Sequence, residues 1–196
     1  MRAICNLDHV LDEHAADFAA RAPGHDAADS FVAENYAALR EARVFSALVP
    51  REFGGSGLEH AEMCRFLGRL AQACPSTALA LSMHQHLVAA AVVNHRAGRP
   101  GRALLEKVGA GELVLVSTGA NDWLSSNGTA RRVEGGYRVI ATKPFASGAP
   151  AGDLLVTSAA HDDAEEGAQV LHFAIPLSAK TLEHAIHHAE HEFELQ

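Results

Sequence analysis

The stretch YRVIATKPFASGAPAGDLLV, residues 137–156, decides how this chain is read. Tyr137, Val139 and Ala141 recur at every second position, the period of a β-strand. Pro144 interrupts the run, the small-residue segment FASGA (145–149) bends it, and GDLLVTSA (152–159) resumes a strand. An aromatic and a hydroxyl two apart on an extended segment are expected to face the same side, and that is the expectation for Phe145 and Ser147.

Upstream of residue 111 the period is different. Leu7, Val10, Leu11, His14 and Phe18 mark a helix over 3–21, broken by Pro23 and Gly24. Asp26 or Asp29 is placed to cap a second helix, SFVAENYAALREARV (30–44), with Phe31, Tyr36, Leu39 and Val44 on its apolar face. Pro50, Gly54, Gly55 and Gly57 then punctuate the chain. A third helix is predicted over 59–73, buried through Met63, Phe66, Leu67 and Leu70. A fourth, over 76–96, is apolar nearly all round and therefore belongs inside a bundle. RALLEKVGAG (102–111) is a short helix ending at glycine.

After residue 111 come the strand runs GELVLVST (111–118), GYRVIATK (136–143), GDLLVTSA and AQVLHFAIPL (168–177), the last two joined by the acidic hairpin loop HDDAEEGA. The expected class is α+β: an N-terminal α-helical bundle over 1–110, then an incomplete antiparallel β-barrel domain over 111–178. TLEHAIHHAEHEFELQ (181–196), inside an atypical His/Glu-rich tail over 179–196, reads as helical, with His184, His187, His188 and His191 at helical spacing.

Composition narrows the function. With 196 residues and 48% hydrophobic content the chain can build a core. A net charge of −8 argues against nucleic acid, whose phosphates demand a Lys/Arg surplus. Cys5, Cys64 and Cys74 form no CxxC and no even set, which fits a reducing cytoplasm better than a disulfide framework. The N-terminus lacks a long apolar run, and the apolar helix 76–96 carries His84, Gln85 and His86, so neither a signal peptide nor a membrane partner is expected.

Three constellations bear on chemistry. A strand ending in Ser117, Thr118 and Gly119 offers hydroxyls and N–H groups to a flavin pyrimidine or a phosphate; an ordinary polar turn uses the same residues. Phe145 can cover a flat ring while Ser147 hydrogen-bonds a ring nitrogen, but by pattern alone a core Phe beside a turn Ser is the better reading. His84 and His86 diverge around a helix, so they share no ligand sphere, and a histidine satisfied by a neighbour explains each. The tail histidines read as a solvated face rather than a metal site, and no GxGxxG or P-loop is present.

Taken in order, LVPREFGGSGLEHAEMCRFLGRLAQACPSTALALSMHQH, GELVLVST and GGYRVIATKPFASGA resemble the acyl-CoA dehydrogenase family over about residues 7–178. VPREFGG is similar to the family's Val-Pro-Glu-x-Tyr-Gly-Gly turn, and GYRVIATKPFASGA to its Gly-Tyr-x-Leu-Asn-Gly-Thr-Lys-x-Trp-Ile-Thr-Asn-Ala. The resemblance implies that Phe145 stands where a Trp packs on the flavin, with Ala146 and Ser147 at the Ile and Thr near the ring's N5. It puts Ser117 and Thr118 at the pyrimidine end.

The implied cofactor is FAD, with FMN possible. The implied partners are acyl-CoA or another small-molecule substrate, an electron acceptor or flavin reductase, and further copies in a homo-oligomer. STGANDWLSS replaces the family's Thr-Glu-Pro-x-x-Gly-Ser-Asp, so no role is assigned to Asp122, Trp123 or Ser125. Phe for Trp and Ser for Thr also occur in relatives that hydroxylate substrates with reduced flavin and oxygen. The expected activity is α,β-dehydrogenation of an acyl thioester, with that monooxygenase chemistry, or a non-catalytic helical fragment, as alternatives. The family's catalytic Glu belongs to a C-terminal four-helix domain expected to be absent here through a truncation or frame disruption near residue 179, so the catalytic residue is unknown.

Overall fold

The computed structural model describes residues 4–118, 122, 126–163, 167–178, 182–187 and 190–195. They form two compact units, one ending at Val114 and one beginning at Leu115.

Among the described residues the first unit holds five α-helices: α1 (Leu7–Ala28), α2 (Ala33–Glu41), α3 (His60–Ala73), α4 (Pro75–Arg96) and α5 (Arg102–Gly111). Asn6 caps α1 by accepting the His9 N–H at 3.2 Å. The predicted break at Pro23 does not occur. The missing N–H of Pro23 removes a bond to Ala19, but Ala19 is exposed and water can serve its carbonyl. The helix ends instead at Asp29, whose left-handed φ of 48° lets its own N–H reach Asp26 O and that of Ser30 reach His25 O. Asp29 is therefore a C-cap, and α2 starts after Val32 without a side-chain cap. Reciprocal bonds between Glu59 and Glu62 open α3, and Pro75 opens α4 where its lost donor costs nothing.

Phe45, fully buried, centres the helical core between Tyr36 (ring centroids 5.3 Å apart) and His84 (5.1 Å, perpendicular). His84 Nε2 lies 2.8 Å from Phe45 O, and the Gln85 side-chain amide donates to Val44 O at 2.8 Å, so two of the three HQH residues pin the segment entering the VPREFGG turn. α4 is long and apolar enough to cross a membrane, yet Leu81, His84, Gln85 and Val88 are buried within the unit. It is not covered all round, since Leu79 and Val93 are 63% and 58% exposed.

Glu112, in a left-handed conformation just past α5, accepts from the Ser46 N–H (3.1 Å), the Ser46 hydroxyl and Arg43 (3.1 Å), tying the end of the unit to its middle. Burial, reinforced by the Glu112 charge, pushes the Cys5 thiol up to about 12. Cys64 is exposed, whereas Cys5 and Cys74 are buried. A thiol reagent is accordingly expected to modify one cysteine of the native chain rapidly and the other two only on unfolding, which a timed mass spectrum checks.

The second unit is a sheet of seven strands among the described residues: β1 (Leu115–Ser117), β2 (Thr129–Val133), β3 (Gly136–Thr142), β4 (Leu154–Asp163), β5 (Gly167–Pro176), β6 (Leu182–His187) and β7 (Glu190–Leu195). Their order is β1-β4-β2-β3-β7-β6, with β5 also on β4. The sheet is mixed, not wholly antiparallel: β1 runs parallel to β4 in the register Leu115↔Leu154 to Ser117↔Val156, and Thr129 of β2 pairs parallel with Ala160. The β4–β5 hairpin is as expected, closing at Asp163↔Gly167.

The tail is not helical. β6 and β7 form a hairpin whose second strand pairs with β3 through Ile140↔Glu194 to Thr142↔Glu192. The sequence carries this in its other period, Glu190, Glu192 and Glu194 alternating with His191, Phe193 and Leu195, and an open β3 edge supplies backbone partners that an isolated helix lacks. Trp123, Ser125 and His188 lie outside the described residues.

Candidate functional site

The bend of the opening stretch is built from two anchors. The first is Lys143, the residue after β3. Inward positions of β3 are Val139 and Ala141, and the same alternation turns Lys143 inward, where it is 1% exposed. A buried ammonium requires a partner. Its Nζ lies 2.5 Å from Asp122 Oδ1 and donates to Asn127 O at 2.7 Å. Asp122 is itself 7% exposed and saturated. Its Oδ2 accepts from Thr118 (2.7 Å), Thr157 (3.2 Å) and Ser158 (3.3 Å), and its Oδ1 also accepts the Asn127 N–H at 3.1 Å. The single Ser158 hydroxyl proton is shared between its Oδ2 contact and a shorter one to Asp122 O at 2.8 Å. The cluster thus joins the residue after β1, the segment entering β2, the end of β3 and two residues of β4. Burial by itself would raise the Asp122 pKa. The hydrogen bonds from Lys143, Thr118 and Asn127 outweigh it and hold the carboxyl below the usual range. For Lys143 burial dominates and draws the ammonium below its ordinary value, against the pull of Asp122.

The second anchor is Ala146, 1% exposed, packed with Val116 and Leu155 and flanked by Ala149 and Leu177. Phe145 lies between the anchors with a φ of 60°, a left-handed backbone uncommon for a bulky residue, and its side chain is 74% exposed. The Ser147 N–H donates to Phe145 O at 2.9 Å, and Gly148 follows with φ 85°. The segment is therefore a tight turn, and the same-side expectation for Phe145 and Ser147, which assumed an extended chain, does not apply. Ser147 is half-buried and its hydroxyl has no hydrogen-bond partner among the described residues.

The five sequence-predicted residues thus divide. Phe145 and Ser147 present an uncommitted ring and hydroxyl. Ala146 is a packing anchor. Ser117 and Thr118 are 0% and 2% exposed, and the Thr118 hydroxyl is spent on Asp122 and Thr157, at 2.7 and 3.0 Å. The Thr118 hydroxyl consequently belongs to the cluster around Asp122. Sequence reasoning assigned nothing to Asp122 or Lys143. The available signal was parity: a lysine at an inward strand position implies a buried acid nearby.

An isoalloxazine needs an apolar wall and a donor at its N5 edge, and the exposed Phe145 ring with the free Ser147 hydroxyl has that chemistry. A helical unit followed by a mixed, unclosed sheet is consistent with the acyl-CoA dehydrogenase fold. Residues 7–112 match the acyl-CoA dehydrogenase N-terminal domain, and the chain belongs to the acyl-CoA dehydrogenase family.

Among its relatives is the L-prolyl-[peptidyl-carrier protein] dehydrogenase of Pseudomonas fluorescens, 29% identical over 79% of this chain and 44% of that one. KijD3, solved with FMN and dTDP-3-amino-2,3,6-trideoxy-4-keto-3-methyl-D-glucose, is 27% identical with a TM-score of 0.81, over 91% of this chain and 46% of that one. The nitrososynthase of Micromonospora carbonacea var. africana shares the fold with a TM-score of 0.84 at 21% identity, over 96% of this chain and 52% of that one. The chain spans about half the length of these relatives.

Proposed function

We propose that this chain carries the flavin-contacting β unit of an oxidoreductase that removes two hydrogens from an acyl group held as a thioester. The observation that carries the reading is the bend: an exposed aromatic at an unfavourable backbone angle, held between two buried anchors, beside an unpartnered hydroxyl. Strained non-glycine residues persist where surrounding structure over-determines them, and they concentrate at working sites. Phe145 would offer its ring as a wall for the isoalloxazine, and the Ser147 hydroxyl would be a donor for its N5 edge. Ser117 and Thr118 stand behind the bend near the pyrimidine end, Thr118 acting through Asp122. A bound flavin would supply the two-electron acceptor for the β-hydrogen, and the base for the α-proton is assigned to no described residue. A carrier-bound acyl thioester is the substrate class favoured by the prolyl-carrier dehydrogenase relative, and the flavin is FAD or FMN, the latter bound by the KijD3 relative.

A second reading, oxygen-dependent hydroxylation with reduced flavin supplied by a reductase, is favoured by Phe145 and Ser147 standing where the dehydrogenase pattern has Trp and Thr, and by the FMN-bound KijD3 relative. Two assays on the flavin-loaded chain separate them. Bleaching of the flavin by an acyl thioester without oxygen supports dehydrogenation. Oxygen uptake that requires a flavin reductase supports hydroxylation.

A further inference from the structure

Lys143 and Asp122 are 1% and 7% exposed; Lys143 is the residue that enters the bend, and Asp122 holds it from the segment between β1 and β2. We propose that the buried Asp122–Lys143 pair is a positioning clamp that holds Phe145 in its left-handed conformation and so sets the angle of the flavin's wall. The inference rests on the flavin reading for what Phe145 does, and on this structure alone for how Phe145 is held.

The geometry supports it in three ways. First, only Pro144 separates Lys143 from Phe145, and proline fixes its own φ, so rotation fixed at 143 passes to 145 with little slack. Second, the pair is cross-braced. Asp122 receives hydroxyls from Thr118, Thr157 and Ser158, and Lys143 grips the Asn127 carbonyl, so neither partner can drift without breaking several bonds. Third, the cluster is more elaborate than stability requires, since a hydrophobic pair of similar volume often serves a core as well as a buried ion pair. An arrangement that exploits direction rather than burial has a use where one backbone angle must be kept.

The double variant Asp122→Asn/Lys143→Met removes both charges while leaving the volume nearly filled, and Ser158→Ala removes one brace only. Leu171→Ala, against the inner face of the sheet, serves as a control for lost stability without a role at the bend. Two readouts are taken on each: amide NMR signals of Phe145, Ser147 and Ala149 without ligand, and FMN affinity from visible absorbance.

The clamp predicts multiplied or broadened signals at 145–149 in the double variant, about a tenfold weaker FMN affinity, and a smaller effect of the same kind in Ser158→Ala. Leu171→Ala should melt earlier with both readouts unchanged. A double variant that stays folded with parental bend signals overturns the clamp. So does one whose bend loosens while FMN affinity stays parental. If the double variant does not fold, Ser158→Ala decides by the same two criteria. A parent chain that binds neither FMN nor FAD sinks the flavin reading instead, and the clamp then stands or falls on the bend signals alone.

Discussion

Asp122→Ala is expected to lower the unfolding free energy by about 3–5 kcal/mol, the range for breaking a buried ion pair by removing one partner. The loss exceeds the hydrogen bonds themselves because Lys143, 1% exposed, would keep a charge with no acid beside it, and Thr118, Thr157 and Ser158 would each lose an acceptor. Urea unfolding followed by near-UV circular dichroism measures it; a change under about 1 kcal/mol would mean that water or another group takes over the site. The same carboxylate sets an acid limit. Its folded pKa lies below its unfolded one, so its contribution is complete above about pH 4 and is lost as pH falls through the lower folded value. Asp122→Asn should flatten that limb of the stability profile.

Phe145→Gly is expected to separate binding from stability. Glycine takes a φ of 60° freely, and a side chain that is 74% exposed leaves little burial to lose. Relief of backbone strain and the added freedom of the unfolded chain then nearly cancel, leaving stability within about 1 kcal/mol of the parent. Flavin affinity, by contrast, should fall roughly 5- to 150-fold, the worth of about 1–3 kcal/mol for one aromatic stacking contact. If both quantities fell together, Phe145 would be a packing residue and the site would lie elsewhere.

Much of the fold was legible because it rests on local periods. Met63, Phe66 and Leu70 repeat at helical spacing and are buried, and the β4–β5 hairpin follows from its turn. The misreadings share one cause, tertiary context overriding a local signal. Pro23 breaks a helix only where the lost bond cannot be replaced by water. The tail satisfies two periods, and an available β3 edge selects the strand. Parallel pairing of β1 with β4 cannot be read from either strand alone.

At the site, Phe145 and Ser147 were visible as a motif, but the left-handed turn that exposes Phe145 was not, since a Phe carries no sequence sign of positive φ. Nor was the fate of Thr118, whose hydroxyl turns to Asp122 because a buried lysine calls for that acid.

The central claim is that the bend over 143–148 presents a ring and a hydroxyl to a flavin. Titration of the purified chain with FMN and with FAD, followed by visible absorbance alongside Phe145→Gly, tests it most directly. A saturable spectral change in the parent that weakens at least fivefold in the variant is the predicted result. A folded parent that leaves both spectra unperturbed, or a variant that binds as tightly as the parent, would contradict it.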